Sequence, residues 1–129
     1  PFVRYLSEVA FIQLGHATIT GIPGELYPEI AVGGIENPVG ADYVMAPQEV
    51  PHLRSQLPGD VNLMVNLAND AIGYIIPKSE WDNAAPWIYG ESEETYGEIV
   101  SLGPDTAPAI HRAVTEVISS DQSIKTPGH

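Results

Sequence analysis

The chain has 129 residues, 43% of them hydrophobic and 17% charged, which suits one folded domain and is too apolar for a disordered chain. Five basic residues face seventeen acidic ones, a formal charge of −12, and this sets the surface as a whole against phosphate backbones and anionic lipid headgroups. Cysteine is absent, so disulfides, thiolate nucleophiles and cysteine-bound zinc are excluded, and no apolar run reaches the ~18 residues of a membrane-spanning helix.

Gly and Pro number 12 each, so turns punctuate short elements. Two β-favouring runs, residues 8–14 and 17–22, flank Gly15-His16, and Gly in the first central position predicts a hairpin with a type II′ turn. Ile22-Pro23-Gly24-Glu25 reads as a turn. Residues 26–31 read as a short helix, provided Pro28 falls in its first turn. Residues 32–45, with Gly33, Gly34, Pro38 and Gly40, read as a loop, and residues 47–57 as a short helix that Pro51 interrupts or restarts. After the turn Pro58-Gly59-Asp60, residues 61–67 are apolar enough for a buried strand, and residues 72–76 continue as strand up to Pro77. Ser79 is placed to cap one helical turn carrying Trp81, and residues 83–98 read as irregular and acidic. The best helix covers residues 105–119, capped by Asp105 or Thr106, with Ile110, Val114, Val117 and Ile118 on one stripe; residues 121–129 read as a frayed tail. The expected fold is mixed α/β (α+β): a small β-sheet with an N-terminal hairpin, packed by short helices and one C-terminal helix. Residues 1–129 read as a single domain or a fragment, because Pro1 opens the chain without a methionine or signal segment.

Three side chains stand out. Glu25 follows a Pro-Gly turn at a strand end, where it serves as a metal ligand or general base, or else as a solvated first-turn residue. Tyr74 follows Gly73, which admits close backbone approach; its phenol is a hydrogen-bond donor or metal ligand, or else belongs to the core. Tyr89 sits in Tyr89-Gly90-Glu91, ahead of Glu93, Glu94 and Tyr96-Gly97-Glu98, and reads as a donor at a site edge or as a lone exposed tyrosine. The acidic stretch lacks the spacing of a calcium loop, and His16, His52, His111 and His129 lack metal-ligand spacing.

Taken in order, Ile19-Thr20-Gly21-Ile22-Pro23-Gly24-Glu25, Asn69-Asp70-Ala71-Ile72-Gly73-Tyr74, and Tyr89-Gly90-Glu91 followed by Tyr96-Gly97 and Gly103-Pro104 resemble the late part of the catalytic domain of neutral/alkaline non-lysosomal ceramidases. The likeness extends over most of residues 8–118. The resemblance implies a zinc-dependent amide hydrolase, in which metal-activated water attacks an N-acyl bond. It implies Glu25 and Tyr74 as zinc ligands and Tyr89 as the donor to the oxyanion of the tetrahedral intermediate. It also implies two histidine ligands from an upstream segment, an N-acyl lipid or other amide as substrate, and little activity in this chain alone. The expected associations are that upstream segment or a homo-oligomer covering an exposed sheet edge. Two other readings stand beside it. One is a non-catalytic binding or assembly module that uses Trp81, Trp87 and Tyr89. The other is a glycoside hydrolase that pairs the carboxylates of Glu25 and Asp70.

Overall fold

The computed structural model describes residues 4–125 and has an α+β fold. Strand β1 (Ala10–Leu14) pairs antiparallel with β2 (Ala17–Gly21), Ala10 opposite Gly21 and Leu14 opposite Ala17. Gly15 turns the corner at φ 61° while His16 keeps a negative φ, as a type II′ turn demands. Strand β4 (Val61–Val65) lies parallel to β2 on its other side, giving the order β1-β2-β4. The connection from β2 to β4 holds the two-residue strand β3 (Glu25–Leu26), helix α1 (Pro28–Val32) and a 3₁₀ turn (Leu53–Gln56). Strand β5 (Tyr74–Ile75) pairs parallel with β3 in a second small sheet. Helices α2 (Tyr96–Ile99) and α3 (Thr106–Lys125) complete the chain.

Pro28 occupies the first turn of α1, where its missing N–H costs nothing, and Tyr27 stands before it in extended conformation. The strand therefore runs through Glu25 and Leu26, and the helix expected from residue 26 begins two residues later. The helix expected over residues 47–57 is reduced to the 3₁₀ turn Leu53–Gln56, with extended, non-helical His52 and Leu57 on either side. Ser79 does not cap its turn; it lies inside the 3₁₀ turn Lys78–Glu80 and donates its hydroxyl to the Glu36 carbonyl at 2.8 Å. The acidic stretch holds one further 3₁₀ turn, Ile88–Gly90, ahead of α2.

Helix α3 continues past residue 119 through the segment expected to fray, as far as Lys125; residues 126–129, with His129, lie outside the described residues. Its most deeply buried line is Ala107, His111, Val114 and Ile118, at spacings of four, three and four, with Ile110 flanking it half-buried. These apolar residues join Ile22, Leu26, Ile30, Leu53, Leu57, Ile72 and Ile75 in one core. Phe11 and Met64, on the inner face of the sheet, pack against that core. Strand β4 is not the buried strand its composition suggests. Asn62 and Met64 turn inward, and Val61, Leu63 and Val65 are exposed. Among the described residues no helix is long and apolar enough to cross a membrane.

Backbones approach most closely at Gly73, where φ is 89° and an added Cβ would stand 1.8 Å from the Val100 carbonyl oxygen. Gly15 also has positive φ but faces open space. In urea unfolding, Gly15→Ala is expected to cost about 1 kcal/mol, whereas Gly73→Ala should cost ~3 kcal/mol or more, because a steric clash adds to the conformational penalty.

Candidate functional site

Strand β2 ends at Gly21, and Ile22-Pro23-Gly24 carries the chain to Glu25. This turn is braced along its length: Ile22 N–H donates to Val65 O at 2.9 Å, Leu67 N–H to Gly24 O at 3.1 Å, and Ile72 N–H to Pro23 O at 2.9 Å. Glu25 N–H then donates to Gly73 O at 2.9 Å and Tyr27 N–H to Ile75 O at 3.1 Å, the ladder of a parallel pair. Its register sets Glu25 opposite Tyr74. Register partners project to the same face, so the two side chains are neighbours.

The charge of the Glu25 carboxylate, first, and then burial raise the pKa of the Tyr74 phenol. Both residues are half-buried, so solvent and small ligands reach them. Tyr74 is held from several sides. Its ring packs edge-to-face on Tyr27, 6.2 Å between centroids, and on Tyr96, 6.0 Å away. Its N–H donates to Val100 O at 3.2 Å, and its carbonyl accepts from the Ser101 hydroxyl at 2.8 Å. Glu25 and Tyr74 thus converge, forty-nine positions apart in sequence.

Tyr89 belongs to a cavity whose lining includes neither Glu25 nor Tyr74. It takes a left-handed backbone, φ 56°, with Gly90 after it also at positive φ, and donates its hydroxyl to Glu36 at 2.8 Å. It lines a cavity of about 370 Å³ together with Tyr27, Glu80, Ile88, Glu91, Glu93, Glu94, Thr95 and Glu98. Tyr27 belongs to this wall and also stacks on Tyr74, so one ring separates the Glu25–Tyr74 pair from the cavity. Asp70 is engaged elsewhere, by the Ser7 hydroxyl at 2.9 Å and the Ala71 N–H at 2.8 Å. Trp81 is buried, and only Trp87 and Tyr89 of the three aromatics line a surface groove, beside Pro38, Val39 and Pro86. His16 is exposed near Asp60 at 3.5 Å, and His111 is buried with Nε2 2.8 Å from the Pro51 carbonyl.

No basic residue lines the cavity. Glu80 and Glu98, 8% and 6% exposed, both have pKa values raised, first by burial. Backbone donors offset part of this: Glu36 N–H reaches Glu80 Oε1 at 2.6 Å, and Glu98 receives hydrogen bonds from backbone N–H groups, Asp82's among them. Asp82 is fully buried behind the same wall, accepting from Ile88 N–H at 2.8 Å with Oδ2 while Oδ1 has no partner. Tyr27 and Tyr89 are each pushed up to about 12, Tyr27 by burial and the nearby Glu98 and Glu80, Tyr89 by desolvation and its bond to Glu36. Sequence reading passed over Tyr27, Glu36 and Glu80, and took Glu98 only as the border of a solvated acidic stretch. A strand assignment at residues 25–27 would have revealed Tyr27, two positions from Glu25 and on the same face.

Glu25 and Tyr74 offer two adjacent oxygen donors, a carboxylate and a phenol, open on one side. This fits half of a four-ligand zinc set. Among the described residues no three His, Asp or Glu side chains come together as a metal site. Comparison of the chain with protein-family models, curated proteins and solved structures found no match.

The raised pKa values of Glu80 and Glu98 carry a sign. Their contribution to stability is complete below the unfolded value of 4.5 and is lost as pH rises through the folded values. The chain is therefore expected to resist urea better near pH 5 than at pH 8. Glu80→Gln and Glu98→Gln should flatten that dependence in urea unfolding followed by tryptophan fluorescence.

Proposed function

We propose that this chain is the ligand-bearing late part of a zinc-dependent amide hydrolase resembling the neutral ceramidases. Glu25 and Tyr74 supply two of the zinc ligands, and Tyr89 the donor to the oxyanion. The observation that carries the reading is the β3–β5 register, which sets Glu25 beside Tyr74. A second support is position. Ligand sites in sheets with parallel strands gather beyond the carboxyl ends of those strands, and Glu25 and Tyr74 both lie on the chain leaving the carboxyl ends of the parallel strands β2 and β4.

When bound, zinc lowers the pKa of a coordinated water toward ~7 and polarises the substrate carbonyl. The chain's own residues do the rest. The Tyr27 and Tyr96 rings hold the Tyr74 phenol in place, and the ladder to Gly73 and Ile75 fixes Glu25. Tyr89 keeps its proton, held by its bond to Glu36, and that makes it a hydrogen-bond donor; a substrate oxyanion takes the place of Glu36 as acceptor. One such donor contributes a few kcal/mol to acyl transfer. An N-acyl lipid or other amide is the substrate class, and the remaining ligands come from another polypeptide segment.

Zinc calorimetry tests the reading. The chain is expected to bind zinc more weakly than a four-ligand site, and Glu25→Ala and Tyr74→Phe should each abolish the binding while leaving the far-UV circular dichroism unchanged. In the polypeptide completed by the remaining ligands, Tyr89→Phe should lower kcat for amide hydrolysis about 100-fold with little change in KM. Zinc affinity and amidase activity that survive Glu25→Ala/Tyr74→Phe would refute the proposal.

The groove of Trp87, Tyr89, Pro38, Val39 and Pro86 favours a second reading, a binding module for a peptide or apolar ligand. It predicts a change in tryptophan fluorescence with a partner that Trp87→Ala removes and Glu25→Ala does not.

A further inference from the structure

The three-stranded sheet carries its apolar side chains on the wrong face for an isolated molecule. On the inner face stand the polar residues Thr18, Thr20 and Asn62 beside Phe11, Gln13 and Met64. Thr18 and Thr20 are fully buried, and the Thr20 hydroxyl has no partner. The register places Ile12, Leu14, Ile19, Val61, Leu63 and Val65 together on the outer face. Of these, Leu14 is 64% exposed, Val61 55% and Leu63 51%. None of the residues of β1, β2 and β4 is charged.

From this face we infer a homodimer in which the outer sheet surfaces of two copies of this chain stack on one another. The first argument is area. The exposed part of the face amounts to roughly 500 Å² of accessible surface, in the upper part of the range that a monomer's largest apolar patch covers. Two such faces bury on the order of 1,000 Å² together, the threshold at which a specific contact, here a weak one, is expected.

The second argument is charge. A chain of net −12 pairs with itself only where the acids are absent. Within residues 8–21 and 60–70 the acidic residues are Glu8, Asp60 and Asp70, all beyond the strand ends. The carboxylates of the cavity belong to the segment from Glu80 to Glu98, outside this sheet. The surface with least electrostatic cost of self-association is thus the one that gains most from burial. The third argument is shape. A two-fold axis along β2 sets Ile19 against its own copy, and Ile12 and Leu14 against the partner's β4 face, an isologous contact of two aligned sheets.

Sedimentation velocity over protein concentrations up to about 100 µM, the micromolar range expected of an interface this small, tests the inference. The chain is expected at twice its 13.9 kDa mass. Leu63→Lys and Ile12→Lys, on opposite edge strands, should each return it to a single copy, weakening association at least ~100-fold because a lysine would be buried without a partner. Both should keep the far-UV circular dichroism of the parent, and its urea midpoint at protein concentrations low enough to dissociate the dimer, since neither side chain belongs to the core. Val39→Lys, at an exposed site in a different surface groove, should leave the dimer intact. A wild-type chain that stays at 13.9 kDa throughout, as it would if a different polypeptide covers this face, overturns the inference. So does a dimer that survives both Leu63→Lys and Ile12→Lys, which would locate the contact at a strand edge or elsewhere.

Discussion

The parallel pairing of β3 with β5 is the contact on which the site depends. It is only two residues long on each strand, too short to persist by its own hydrogen bonds. What sustains it is the bracing on either side. The Pro23-Gly24 turn is bonded to residues 67 and 72, and Gly73 lies against the Val100 carbonyl. Gly24 and Gly73 are required for the same reason, because a Cβ on Gly24 would stand 2.4 Å from the Gly73 oxygen. Two backbones without side chains meet there, and their meeting sets the next residue of each strand, Glu25 and Tyr74, side by side. A packing constraint at two glycines thus becomes a chemical juxtaposition one residue later.

The electrostatics around that pair separate its tyrosines by role. Tyr27 and Tyr89 are each pushed up to about 12, first by burial and then by neighbouring carboxylates, so they keep their protons throughout the neutral range. Tyr74 has its pKa raised too, first by the Glu25 charge. That cause differs in kind, because it depends on a single carboxylate. A cation bound to both oxygens reverses its sign, stabilising phenolate and carboxylate together. The cavity wall has no such lever, since several acids and no base surround each phenol there. The phenol beside a single glutamate and the phenol bonded to Glu36 thus stand in different electrostatic surroundings.

The local signals in the sequence identified the hairpin, the Pro-Gly turn, the close approach at Gly73 and the long C-terminal helix. Each rests on a residue whose backbone preference is strong: Gly15, Pro23, Gly73 and the Gly103-Pro104 stop ahead of α3. The cavity escaped because its carboxylates come from Glu80, in a 3₁₀ turn, and from Glu91 to Glu98, in a stretch with no hydrophobic period. Acidic residues in such a stretch resemble a solvated run until tertiary contacts bury one of them, Glu98. The face of β4 escaped for a different reason. Apolar composition says that a strand is to be covered, and it does not say by what. A parallel strand rich in Val and Leu is normally buried on both faces, and here the described chain covers one.

That uncovered face bears on the site through the strands they share. The outer residues Ile19 and Val65 lie on the same two strands whose carboxyl ends lead to Glu25 and Tyr74. Ile22 N–H donates to Val65 O, and Ala68 N–H to Ile22 O, immediately beyond the strands, and these two bonds carry the sheet's register into the Pro-Gly turn. The pairing of β2 with β4 and that of β3 with β5 are therefore joined through backbone hydrogen bonds of the Pro-Gly turn.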